Sequence, residues 1–195
     1  MSTVDTAMLP VLGTSYAALA DALASVDEAR WREPSMCAGW TVANVIAHLT
    51  MAARYDEAAF TAELAADGFD FQTMSDRLAL RDGALPVDSL LADLRSDTMA
   101  TFAMPVGGVA GSLSHVVIHG LDATWPLGLE CHFPTAATHL VLDGLADTSP
   151  TMFGVEIDGL ALSATDLDWR HGQGRPVERP AAELVLALAG RHIAL

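Results

Sequence analysis

The chain has 195 residues, with ten Arg, no Lys and 25 acidic residues, and a formal charge of −15 at pH 7. At 51% hydrophobic and 18% charged it has the material for a core, so disorder is excluded as its main state. Its acidity argues against nucleic acid as a partner, and no apolar run reaches the about 18 residues that a membrane helix needs.

Taken in chain order, the first two thirds predict helices. Leu9, Leu12, Tyr16, Leu19 and Leu23 recur at helical spacing and predict a helix over Thr6 to Val26. A polar loop, Asp27 to Trp40, precedes Thr41, whose hydroxyl can cap a long helix from Val42 to about Ala66. Phe71 to Leu80 is a weaker helical segment. Pro86 suits a first helical position and opens a helix to about Ala103. Gly107 and Gly108 break the chain before a helix over Ala110 to Trp125, which Pro126 ends. A further helix is expected from Pro134 to about Ala146. Alternating apolar residues within Val155 to Arg170, bounded by glycines, predict two or three short antiparallel strands. Pro180 opens a last helix to Ala189, with Gly190 as its C-terminal cap. The expected architecture is a mainly α up-down four-helix bundle over residues 1–150 with a small αβ extension over 151–195. The start of the chain lacks the basic and apolar regions of a secretory signal, and Cys37 and Cys131 make no disulfide framework, so a cytoplasmic protein is expected. Apolar faces on the early helices are expected to bury a homodimer interface.

The histidines carry the functional signal. Gly107 to Leu129 holds one formally charged residue, Asp122, and two histidines, His115 and His119. At about 100° per residue, His119 lies about 40° to one side of His115 and Asp122 about 20° to the other. These three form a polar stripe on a helix that is otherwise apolar and therefore expected to be buried. His48 shares its helix face with Val45, Leu49 and Ala52 and is also expected to point inward. An i, i+4 histidine pair on one helix and a third histidine on a facing helix can bind one divalent ion, Zn²⁺ by default and Ni²⁺ or Fe²⁺ by the same ligand chemistry. From the residues alone, a hydrogen-bonded core cluster fits equally well. Asp122 is expected either to accept a hydrogen bond from a ligating imidazole or to bond a nearby backbone amide or arginine, and the residues favour neither. His139 faces an undetermined direction, His132 and His171 are expected on surface loops, and Cys37 is expected to be a packing cysteine.

Trp31-Arg32-Glu33-Pro34-Ser35-Met36-Cys37-Ala38-Gly39-Trp40-Thr41-Val42, with Ile46-Ala47-His48-Leu49, resembles the N-terminal signature of the mycothiol-dependent maleylpyruvate isomerase family. His115-Val116-Val117-Ile118-His119-Gly120-Leu121-Asp122 continues the resemblance, and Ala164 to Arg191 looks like that family's short C-terminal extension. The resemblance implies a DinB-like bundle with metal ligands at His48, His115 and His119. It also implies mycothiol as co-substrate and a metal-stabilised thiolate that attacks an electrophilic metabolite. Position 115 is histidine where the isomerase type has glutamate, which makes the implied site one charge more positive. Arg191 matches best the arginine that the resemblance implies near the C-terminus. Abundant Ala and Arg without Lys suits a GC-rich actinobacterial source, where mycothiol is the small thiol. The implied activity is that of a thiol-dependent isomerase or transferase. A hydrolase or lyase that activates water, and a non-catalytic DinB-like ligand-binding protein, are the alternatives.

Overall fold

The computed structural model describes residues 3–195. They divide into two units, Met1–His132 and Phe133–Leu195. In the first, helices α1 (Thr3–Leu23), α2 (Val42–Leu49), α3 (Met51–Arg54), α4 (Glu57–Ala66), α5 (Phe71–Asp82), α6 (Val87–Leu94), α7 (Asp97–Thr101) and α8 (Gly108–Thr124) follow one another. A 3-10 segment, Glu28–Arg32, precedes α2. Both α1 and α2 pack on α8, and α2 also packs on α5. Leu12, Tyr16, Leu19 and Leu23 of α1 are fully or almost fully buried, as the helical spacing of these residues requires.

Two helices expected to be continuous are broken, each by a local hydrogen bond. The run from Val42 stops at Leu49 because Arg54 folds back and donates to the Ala47 carbonyl, with Thr50 Oγ1 donating to Ile46 O at 2.7 Å. Asp56 then starts α4 afresh by accepting from Ala59 N at 2.8 Å. Arg54 also bridges Asp82 at 3.2 Å and Asp93 at 2.5 Å, so the break doubles as a tie between α3, α5 and the end of α6. The helix expected over 86–103 divides where Ser96 caps α7 through Met99 N, and Pro86 is the cap of α6 rather than its first residue. Helix α8 begins at Gly108, two residues early, because Gly107 supplies a left-handed φ of 85° at its N-cap.

The second unit contains α9 (Thr135–Met152), β1 (Leu160–Ala164), β2 (Arg170–Gly172), β3 (Arg175–Arg179) and α10 (Ala181–Leu188). The strands form one sheet in the order β2-β1-β3, antiparallel between β1 and β2 but parallel between β1 and β3. This corrects the all-antiparallel expectation. The tight turn from Gly172 to Gly174 sends β2 and β3 to opposite edges of β1, so one of them must run parallel to it. A Cβ on Gly174 would lie 2.1 Å from the Gly159 carbonyl oxygen, so only glycine fits that crossing. Ser149 Oγ lies 2.7 Å from Leu188 O, and Trp169 Nε1 donates to Asp143 at 2.8 Å. These bonds tie α9 to the residues after it, so the units part at 132/133, where the sequence suggested 150. Among the described residues, no helix is long and apolar enough to cross a membrane.

Candidate metal centre

The position of His48 follows from the start of its helix. Thr41 and Asn44 form a reciprocal capping box, with Asn44 N donating to Thr41 Oγ1 at 3.3 Å and Thr41 N donating to Asn44 Oδ1 at 2.9 Å. The amide nitrogen of the same Asn44 donates to Ala79 O of α5 at 3.0 Å. One turn further along α2, His48 Nδ1 meets Ser75 Oγ at 3.0 Å, one turn back along α5. The capping residue thus sets the antiparallel register that brings a buried serine to the histidine. Ser75 is 2% exposed and His48 8%.

From α8, His115 and His119 turn towards His48. His115 Nε2 lies 2.9 Å from His48 Nε2, and the three ring centroids are 4.8–5.1 Å apart. One ligand nitrogen from each ring falls within 4.8 Å of the other two. His119 Nδ1 is 3.0 Å from Asp122 Oδ2, and Asp122 is fully buried. With Nδ1 of His48 and of His119 each engaged by an oxygen, Nε2 is the nitrogen that each ring would offer a common centre, and that of His48 meets His115 Nε2. The Trp40 ring lies at 5.0 Å from His48 and closes one side.

Burial keeps two of the three imidazoles uncharged. Burial pushes the His48 imidazole down to about 3, with the charge of His119 a smaller cause. His115 is driven well below the ordinary histidine range by burial, then by His119 and His48. Neutral imidazoles present lone pairs, which suits the cluster to a cation.

Three contributors were not evident from the sequence. Ser75 lies in a segment with only a weak helical pattern, and Trp40 belongs to the loop signature. Cys37, expected only to pack, donates its thiol to Asp122 Oδ2 at 3.2 Å. Its loop is stitched to α8 by Met36 N donating to Asp122 O at 3.0 Å. The helix expected to be buried all round is exposed at one end, where Trp125 is 39% exposed. His132 is exposed, and its nearest acidic partner is Glu130 at 3.7 Å. His171 lies in β2, stacked on Trp169 at 6.1 Å, rather than in a loop. His139 is half-buried on α9. Arg191 follows the α10 cap in the second unit, where its Nη1 donates to Ala189 O at 2.5 Å.

Residues 12–104 match the family described as the mycothiol maleylpyruvate isomerase N-terminal domain. A crystal structure of a histidine-to-alanine mutant of the mycothiol-dependent maleylpyruvate isomerase aligns with a TM-score of 0.59 at 19% identity, over 98% of this chain and 92% of that one. A second crystal structure of the same isomerase aligns at 0.50, with the same identity and coverage. At that identity the likeness establishes the fold, a mainly helical chain ending in a small three-stranded sheet. No curated protein matches the sequence.

Proposed function

Because residues 12–104 match the mycothiol maleylpyruvate isomerase N-terminal domain family, we propose that this chain is a divalent-metal-dependent enzyme of that kind that uses a small thiol on an electrophilic metabolite. Mycothiol is the proposed thiol, and isomerisation or transfer the proposed outcome. The reading is supported above all by the convergence of His48, His115 and His119, with Ser75 and Asp122 engaging two of the rings from behind. Three ligand nitrogens within 4.8 Å of one another, from two facing helices, are the arrangement that a single divalent ion needs.

His48, His115 and His119 would hold the ion. A divalent cation held there supplies the positive charge that stabilises a thiolate at neutral pH, ready to attack an electrophilic carbon. Zn²⁺ suits three imidazoles, as do Ni²⁺ and Fe²⁺. Ser75 and Asp122 fix the ring orientations, and Asp122 makes His119 a better donor by holding its Nδ1 proton. Trp40 shields His48 from water. By the same resemblance, Arg191 is the proposed counterpart of that family's arginine near the C-terminus.

The experiment is to load purified protein with Zn²⁺, Ni²⁺ or Fe²⁺ and incubate it with mycothiol and a panel of electrophiles that includes maleylpyruvate. Thiol-dependent isomerisation or thiol adducts are expected, and lost in His48→Ala. Turnover that ignores the thiol would show a metal-activated water instead, and binding without turnover would refute an enzymatic role.

A further inference from the structure

We propose a second metal site beside the first, formed by Cys37 Sγ, His119 Nδ1 and Asp122 Oδ2, which takes a thiophilic divalent ion and withdraws His119 from the three-imidazole set. The three atoms already lie close together, at 3.2 Å (S to O), 3.0 Å (N to O) and 3.7 Å (S to N). A tetrahedral ion with bonds of about 2.3 Å to sulfur and about 2.0–2.1 Å to nitrogen and oxygen spaces its donors by about 3.3–3.6 Å. Closure around an ion therefore needs shifts of only a few tenths of an ångström, on the order of ordinary side-chain motion.

The donors are held from both sides. On α8, His119 and Asp122 are one turn apart. On the loop, Met36 N donates to Asp122 O at 3.0 Å, Cys37 N donates to Ser35 Oγ at 3.1 Å and Trp40 N donates to Cys37 O at 3.0 Å. Gly39, with a φ of 80°, allows the loop to turn this tightly. Cys37 is half-buried while Ala38 and Gly39 beside it are exposed, which gives an ion a route in.

Charge and softness define the ligand. On uptake the Cys37 thiol proton leaves to solvent, so thiolate and carboxylate together cancel a 2+ ion, and no net charge stays beside the buried Asp122. Thiolate selects soft or borderline ions such as Cd²⁺ and Zn²⁺ over Mg²⁺ and Ca²⁺. A neutral imidazole has one lone pair. Coordination through Nδ1 puts the ring proton on Nε2, the nitrogen that the three-imidazole set requires, so the two sites exclude one another at His119. The set does not use His48 or His115 and goes beyond the proposed function.

The test uses Cd²⁺ alone as probe on the full chain and reads the ultraviolet thiolate-to-cadmium charge-transfer band. The band is expected in wild type, in Cys131→Ser and in His48→Ala, and is expected to vanish in Cys37→Ser that is folded by circular dichroism. Asp122→Ala should weaken Cd²⁺ binding by more than about 10-fold, since even the loss of a group that only supports a ligand costs that much. A band undiminished in Cys37→Ser, a band lost in folded His48→Ala, or no band in folded wild type overturns the proposal. The three-imidazole reading fails on a different result, equal zinc uptake by Cys37→Ser and by the double variant Cys37→Ser/His48→Ala, in which the thiolate set is removed.

Discussion

Replacing Asp122 by Asn preserves the shape of the side chain and removes its charge. The carboxylate is fully buried, and its Oδ2 accepts from both His119 Nδ1, at 3.0 Å, and Cys37 Sγ, at 3.2 Å. An amide in its place has one acceptor oxygen and an NH₂ that only donates. If the oxygen faces His119, the ring keeps its tautomer but loses the negative charge that strengthens Nε2 as a donor. If the NH₂ faces it, the ring proton moves to Nε2 and the lone pair is lost to the cluster. Loss of such a supporting carboxylate weakens metal binding by about 10–100-fold, or about 1.4–2.7 kcal/mol. Zinc affinity measured by competition with a chromophoric chelator at neutral pH reads the change directly, alongside His115→Ala and His119→Ala. The His119 variant should lose metal more completely than the His115 variant, because it alone engages Asp122. An Asp122→Asn protein with wild-type zinc affinity would refute the role given to the carboxylate.

Other expectations follow from the same geometry. As pH falls from about 6.5 towards 3, the metal-free protein should lose stability, because the unfolded chain takes up protons at His48 and His115 that the folded protein refuses; two such groups give a slope of at most about 2.7 kcal/mol per pH unit. Urea denaturation across that range should show it, and a flat profile would mean the rings are not buried neutral. Asn44→Ala removes the side-chain half of the capping box, where Thr41 N donates to Asn44 Oδ1, and leaves Ala79 O without its side-chain donor, a loss of about 2 kcal/mol, and zinc should bind more weakly as the α2–α5 register loosens. Unchanged zinc affinity in that variant would separate the cap from the site. Gly174→Ala should cost about 2 kcal/mol or more, since its φ is 131° and its Cβ would meet Gly159 O, and a melting curve like that of wild type would show the crossing to be adaptable.

Much of the fold was legible because apolar spacing reports burial. The faces of α1, α2 and α8 follow from Leu12-Tyr16-Leu19, Val45-Leu49 and Val116-Val117, and those residues are buried. Helix breaks at Thr50 and Ser96 were not legible, because each depends on a side chain that bonds the backbone of the same local segment. Strand direction was missed for a topological reason: alternation marks a strand but not its neighbour. Within the site, the spacing of His115, His119 and Asp122 placed them on one stripe. Ser75 and Cys37 carry no periodic signal that ties them to histidines 27 and 82 positions away, and only the α2–α5 register and the Met36–Asp122 bond bring them there.

The histidine at position 115 changes the electrostatic problem that the proposed site has to solve. Three neutral imidazoles add no negative charge, so a divalent ion among them would keep its full 2+ charge, where a glutamate ligand would cancel one unit. The carboxylate that touches this cluster is Asp122, one hydrogen bond behind His119 and fully buried. Its charge acts through the ring rather than on the ion, so it offsets the buried positive charge while leaving the electron-withdrawing power of the ion less quenched than a direct carboxylate bond would. The arrangement therefore favours stabilising an anion that arrives with the substrate, and a thiolate is such an anion. The same buried carboxylate, reached from the other side by Cys37, also makes the neighbouring donors attractive to a soft cation. Both proposed sets of donors thus draw on Asp122, one through the His119 ring and the other directly.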